Sequence, residues 1–122
     1  MNYPAEIEQT ATRIAELVKE IGDIRTDLRD IETEQVVEVL TAKDESGKAL
    51  FTNDKQRDTA LATRLMEHPR HCKLKADLSE GELEKAIAGA KLERLRGEFK
   101  LHLLDRQEQI AQTNWQTATS HD

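Results

Sequence analysis

Residues 7–31 read IEQTATRIAELVKEIGDIRTDLRDI, and this stretch decides the fold. Isoleucine or leucine recurs in it every seven residues, and a second row with the same spacing runs beside the first. Two such rows, three and four residues apart, place apolar side chains along one face of a helix, which is the pattern of a coiled-coil seam. The seam residues of this first helix are Ile7, Ile14, Leu17, Ile21, Ile24, Leu28 and Ile31.

The composition of the 122-residue chain indicates long helices with a narrow core. Hydrophobic residues make up 37% of the chain and charged residues 34%, a profile typical of coiled coils and helical bundles. We predict an all-α helical hairpin or coiled-coil domain over residues 1–111, with a shorter helix at the bend. Two long helices share only one mutual seam, so we expect a second chain to cover the remaining apolar surface in a homodimeric helix bundle. The sequence does not fix the oligomer number.

The segment after the seam is open to two interpretations. The apolar positions shift after Ile31, because the next heptad positions are Gln35 and Glu38, whereas Val36, Val39 and Leu40 are apolar. Residues 36–52 therefore form either a helix end followed by a loop or a β-hairpin made of 36–42 and 48–52. The favoured interpretation is a chain reversal, with a turn over residues 44–48 and a positive φ at Gly47.

Two further helices follow the turn. Asn53 and Gln56 have the spacing of a capping box at the start of a helix over residues 54–67. His68-Pro69 ends that helix, and a third helix is predicted from residue 69 to residue 112, with seam positions at Leu92, Leu95 and Phe99. The polar segment 112–122 lacks periodicity and is predicted to be a disordered tail, in which the role of Trp115 is open.

Few residues form motifs typical of catalytic, metal-binding or nucleotide-binding sites. The segment EHPRHC, residues 67–72, contains metal-ligand residue types, but a structural zinc site needs a second ligand pair that the sequence lacks. We interpret it as a polar helix junction with a half-buried cysteine, in which replacing His71 and Cys72 leaves stability unchanged. No nucleotide-binding or nucleophile motif occurs. The prediction is a protein with no enzymatic activity, no metal site and no cofactor.

Charge is segregated along the chain. Residues 1–45 contain 12 acidic and five basic side chains, whereas residues 85–106 contain six basic and three acidic ones. This segregation favours pairing of the first helix with the later ones. The basic residues also raise an alternative, contact with nucleic-acid phosphates. The candidate phosphate contacts are Lys91, Arg94, Arg96 and Lys100.

A short motif combines an Asp-x-x-Gly-Lys turn, an aromatic residue and a Thr-Asn pair that opens the next helix, followed by an arginine. In this chain these positions are Asp44, Gly47, Lys48, Phe51, Thr52, Asn53 and Arg57. The motif resembles that of small uncharacterised helical accessory proteins of phages, prophages and bacteria. The resemblance implies a helical hairpin without catalytic residues, and some such proteins are encoded beside recombination genes.

These observations predict a non-enzymatic protein–protein interaction or scaffold module of unknown partner. The alternative is a nucleic-acid-associated accessory protein, for example of phage-type recombination or replication. The N-terminal segment has neither the basic start nor the apolar run of a secretory signal, and no window is apolar enough to span a membrane. We therefore expect a cytoplasmic protein that does not associate with membranes.

Overall fold

A computed structural model of the chain describes residues 1–119. Three helices follow one another: α1 (Tyr3–Thr41), α2 (Asp54–Met66) and α3 (Pro69–Thr119). Within residues 1–119 there is no β-strand, and the only bridge of β type joins Lys43 and Ala49. The predicted all-α class, with a short helix between two long ones, is confirmed.

The helices contribute to two compact units. The first unit comprises Met1–Ala15 and Lys85–Asp122, of which residues 85–119 are described, and the second unit comprises Glu16–Glu84. In the first unit the ring of Tyr3 at the start of α1 contacts the rings of Phe99 and His102 on α3. In the second unit α1 packs with α2 and with the first turns of α3.

The start of α1 follows from local hydrogen bonding. The side chain of Asn2 accepts a hydrogen bond of 3.2 Å from the backbone N–H of Ala5, and the carbonyl of Asn2 accepts one of 3.1 Å from Glu6. Asn2 therefore satisfies N–H groups that have no partner inside the helix. Pro4 lies in the first turn, where its missing N–H costs no hydrogen bond.

The reversal after α1 is organised around Asp44. Its carboxylate accepts hydrogen bonds from the Ser46 hydroxyl at 2.6 Å, the Ser46 N–H at 2.9 Å and the Lys48 N–H at 3.0 Å. Gly47 has a φ of 84°, a region that glycine enters without steric cost. The helix-end interpretation of residues 36–52 is thus correct, because α1 continues to Thr41 and the extended pairing is confined to a short link between Lys43 and Ala49.

The start of α2 is capped in a way that differs from the predicted capping box. The Asn53 side chain accepts a hydrogen bond of 2.8 Å from the backbone N–H of Gln56, as predicted. The Gln56 side chain, however, reaches past Asn53 and accepts from the N–H of Thr52 at 2.9 Å and from its hydroxyl at 3.1 Å. The second hydrogen bond of the capping box, from the Gln56 side chain, is therefore made to Thr52 and not to the N-cap residue Asn53.

Two expectations about helix α1 and the tail differ from the structure. Gln35 is buried at its heptad position and Val39 is buried, whereas Val36 and Leu40 are exposed, so the phase shift occurs after Gln35 and not after Ile31.

The segment 112–119, predicted as disordered, belongs to α3. No glycine or proline follows Gly97, so no residue type that breaks helices interrupts α3 there. Residues 120–122 of the predicted tail lie outside the described residues.

The Asp44 turn generates a prediction about acid titration. The hydrogen bond from the Ser46 hydroxyl, followed by that from the Lys48 N–H, holds the pKa of Asp44 below its ordinary value of 3.8. A lowered folded pKa contributes stability above the unfolded pKa, and this contribution is lost as the pH falls through the folded pKa. We expect an NMR titration of the Asp44 carboxyl carbon to have its midpoint below 3.8 in the native protein.

Ser46→Ala removes the largest cause of this shift and serves as the comparison. Its Asp44 midpoint should lie above that of the native protein, because one charge-assisted hydrogen bond is lost. A native midpoint at or above the ordinary value would show that the carboxylate does not hold the turn together.

Candidate functional site

The apolar face of α1 in the second unit is covered within a single chain. Leu17 is 1% exposed and Ile21 is 4% exposed, while Leu28 and Ile31 are also buried. Ile24 is half-buried. The heptad rows therefore form the core of this unit, as their spacing predicts.

A close helix contact in this core involves Gly81 of α3. A Cβ atom built on Gly81 would lie 3.2 Å from Cγ1 of Ile21, closer than ordinary van der Waals contact. The missing side chain of Gly81 thus gives Ile21 the space that it occupies. Glycine is permitted here although it weakens a helix interior, because packing of the neighbouring helix compensates.

The first unit has its own, smaller core. Leu95 of α3 is 0% exposed, and Thr10 of α1 is buried. Around them Ile7, Ile14 and Leu92 are half-buried. Phe99 is also half-buried, and its ring centroid lies 5.8 Å from that of Tyr3. Apolar packing of α1 against α3 in this unit therefore extends to the Tyr3 contact with Phe99 and His102.

The predicted seam residues consequently lie inside the chain and not on a free face. Five are buried and five are half-buried, so a single chain already uses the face that the sequence nominates. Their participation in an oligomer stays a prediction. The buried residues are Leu17, Ile21, Leu28, Ile31 and Leu95, and the half-buried ones are Ile7, Ile14, Ile24, Leu92 and Phe99.

Ion pairs join the acidic α1 to basic residues of α2 and α3 in the second unit. Arg64 reaches Glu38 at 2.8 Å, and Arg70 reaches Asp27 at 3.5 Å. These side chains are partly exposed, so each pair contributes only about 0.2–1 kcal/mol. The predicted pairing of the first helix with later helices is therefore present at Arg64 and Arg70. Pairs this exposed contribute more to the arrangement of the helices than to the stability of the fold.

The polar junction between α2 and α3 is structural. The Nδ1 atom of His68 accepts a hydrogen bond of 3.1 Å from the backbone N–H of His71, and the carbonyl of His68 accepts one from Cys72. His68 therefore caps α3, with Pro69 at the first helical position. His71 is 4% exposed, and its Nε2 atom lies 3.1 Å from a carboxylate oxygen of Glu32 on α1.

The prediction that Cys72 is half-buried is wrong. Cys72 is exposed, and its sulfur contacts the Met66 carbonyl at 3.3 Å, whereas the adjacent His71 is the buried residue. Helix rotation explains this difference: His71 faces Glu32 on α1, and the next residue, Cys72, points about 100° away from it. Among residues 1–119, no group of three or more His, Cys, Asp or Glu side chains lies close enough to hold a metal ion.

The candidate phosphate contacts do not form one surface. Lys91, Arg94, Arg96 and Lys100 are all exposed on α3. A helix rotates by about 100° per residue, so Arg94 and Arg96 point to directions about 160° apart. Arg94 also lies 3.5 Å from Glu98 one turn later. The geometry therefore does not concentrate positive charge on a single face.

The later part of α3 exposes a long run of residues. Every residue from Lys100 to Ala118 is exposed, including the large apolar side chains of Leu101, Leu104 and Trp115. Leu103 and Ile110 are exposed on another side of the same helix. Large exposed apolar side chains on one side of a helix, as Leu101, Leu104 and Trp115 are, favour an interaction surface.

Many of these exposed residues follow a second heptad repeat on α3. One row has a residue every seven positions from 87 to 115, and the other runs from 90 to 111. The set, called the outer seam below, consists of Ile87, Ala90, Arg94, Gly97, Leu101, Leu104, Glu108, Ala111 and Trp115, all of which are exposed. It faces away from Leu92 and Phe99, because Leu101 is half a helical circumference from Leu92.

The amino-acid pattern of α3 does not by itself distinguish the outer seam from the core face. The available signal was the spacing of Ile87, Leu101 and Trp115, each 14 residues from the next. The row between them contains charged residues, Arg94 and Glu108, which interrupt the apolar repeat and conceal it. Small residues in the other row conceal it further.

Comparisons with known proteins found no match for this chain among protein families, curated proteins or solved structures. The resemblance to phage and bacterial accessory proteins therefore stays a prediction. None of the helices within residues 1–119 has the combination of length and hydropathy that crossing a membrane requires.

The contact of Ile21 with Gly81 predicts different outcomes for two glycine substitutions. Gly89→Ala should raise the free energy of unfolding by about 1 kcal/mol, because alanine favours a helix and nothing lies within 4 Å of the new Cβ. Gly81→Ala should give a smaller gain or a loss, because its Cβ would lie 3.2 Å from Ile21. Urea unfolding of both variants measures the difference. Equal stabilisation would contradict the packing of Ile21 on Gly81.

The junction predicts that His71 and Cys72 differ in importance, contrary to the expectation that both are dispensable. His71→Ala should lower the free energy of unfolding by about 1–3 kcal/mol, because a buried, hydrogen-bonded ring is removed. Cys72→Ser, one residue away and exposed, should change it by less than about 0.5 kcal/mol. Thermal and urea unfolding of the two variants provides the comparison, and similar effects of both would contradict the buried role of His71.

Proposed function

We propose that the protein is a non-enzymatic protein–protein interaction module in which α3 presents the docking surface. The single observation that supports this function is the uninterrupted exposure of α3 from Lys100 to Ala118, with large apolar side chains along it. Leu101 is 63% exposed and Trp115 is 68% exposed. Such side chains gain about 1.5–3 kcal/mol each when they are fully buried, so a protein partner would be bound favourably.

The antiparallel course of the first unit explains why this surface is available. Tyr3 is the first residue of α1 and contacts Phe99 and His102. Helix α3 continues for residues 103–119, about 25 Å at 1.5 Å per residue, beyond that contact. Residues 103–118 of this length are exposed, so another molecule can reach them.

A coiled-coil mode of association and a homodimeric state are parts of this proposal. The heptad spacing of the outer seam supports both, because heptad repeats are covered by helices of a partner. The cytoplasmic location and the relation to phage-type accessory proteins stay predictions from the sequence. A nucleic-acid partner is less well supported, since Lys91, Arg94, Arg96 and Lys100 point in several directions around α3.

Photocrosslinking in the native host tests the proposal. A photoreactive phenylalanine analogue at Leu104 should form covalent adducts with protein, because Leu104 lies on the exposed surface of α3. The same analogue at Val18 is the matched control, because both side chains are 50% exposed and Val18 lies on α1. The expected result is protein adducts from position 104 in clear excess over position 18.

Three other results would count against the proposal. Equal yields from the two positions would indicate random collisions, and no adduct from position 104 would remove the docking surface. Adducts with nucleic acid alone would favour the alternative function. In that case binding should weaken steeply with salt, because phosphate contacts release counterions.

A further inference from the structure

The outer seam is nearly symmetric in sequence about Leu101. Seven residues before it lies Arg94 and seven residues after it lies Glu108, which carry opposite charges. Fourteen residues before and after it lie Ile87 and Trp115, which are both large and apolar. A two-fold axis near Leu101 would therefore bring Arg94 of one copy near Glu108 of the other, and Ile87 of one copy near Trp115 of the other.

This symmetry distinguishes an antiparallel from a parallel helix pair. In a parallel pair in register, Arg94 would face Arg94 of the second copy and Glu108 would face Glu108, so both polar layers would be repulsive. In an antiparallel pair centred near Leu101, Arg94 of each copy lies near Glu108 of the other. Polar residues inside an apolar heptad row specify register and orientation by this means.

The small residues of the outer seam allow the two helices to approach closely. Ala90, Gly97 and Ala111 occupy one row, and the distance between helix axes decreases when contact side chains are small. A Cβ atom on Gly97 would meet nothing within 4 Å in its own chain, so this chain alone places no steric demand there. An isologous dimer repeats each such contact twice, because the same patch is used on both copies.

We infer that the outer seam binds a second copy of this chain as an antiparallel helix pair with its two-fold axis near Leu101. This inference rests on the proposed function of α3 as a docking surface, and it identifies the partner and the register. The seam spans residues 87–115, about 42 Å of helix, which is four heptads. Heptad spacing sustained over three to four heptads is the length that indicates a coiled coil.

Charge exchange tests the orientation. Arg94→Glu should weaken dimerisation about tenfold or more, because the new carboxylate faces Glu108 of the second copy. Glu108→Arg should do the same, since two basic side chains then meet. The double variant Arg94→Glu/Glu108→Arg should recover most of the native affinity. Analytical ultracentrifugation of the full chain measures the dissociation constant, and circular dichroism verifies that helix content is unchanged.

Two additional variants define specificity. Arg96→Glu makes the same change of charge away from the outer seam and should leave dimerisation nearly unaffected. Leu101→Asp places two like charges at the two-fold axis and should abolish the dimer. Because Leu101 is 63% exposed, this variant should retain the helix content of the native chain.

Several outcomes would overturn the inference. A native chain that stays monomeric at high protein concentration would remove it, as would single charge variants that dimerise normally, which is the behaviour of a parallel pair. A double variant no better than either single variant would also contradict the register. If the photoreactive analogue at Leu104 is linked to a different protein and never to its own copy, α3 remains a docking surface, while the homodimeric state and this inference both fail.

Discussion

The packing of the α1 heptad face is the constraint on which the rest of the structure depends. Leu17 and Ile21 are almost completely enclosed, and Ile21 fits against the bare backbone of Gly81. Among residues 1–118, few others are buried to that extent. Native proteins are stable by only about 5–15 kcal/mol, so each buried position of this face contributes a substantial share.

The sequence was informative where structure is determined locally. The rows of Ile and Leu, the turn at Gly47 and the cap at Asn53 each depend on residues close in sequence, and the structure has all three. The burial of His71 could not be predicted in this way, because it depends on Glu32, which is 39 positions away. Polar residues are exposed by default, and only the tertiary arrangement shows that this ring is enclosed.

The outer seam is difficult to recognise in the sequence, because charged and small residues separate its large apolar residues. The charged residues Arg94 and Glu108 interrupt the heptad row that contains Leu101, so this row does not form a continuous apolar repeat. Burial separates the two faces at once, since Leu95 is enclosed while Leu101 is exposed. Helix α3 thus has one face that belongs to its own chain and another that its own chain does not cover.

The continuation of α3 past His102 also bears on the energetics of helix formation. Starting an isolated helix in water is unfavourable because the first turn fixes several residues for one hydrogen bond. Residues 103–119 avoid that nucleation step, since they extend a helix that is already formed by packing at Leu95 and Phe99. Each further residue requires only propagation, so the core of the first unit acts as the helix nucleus for the exposed segment.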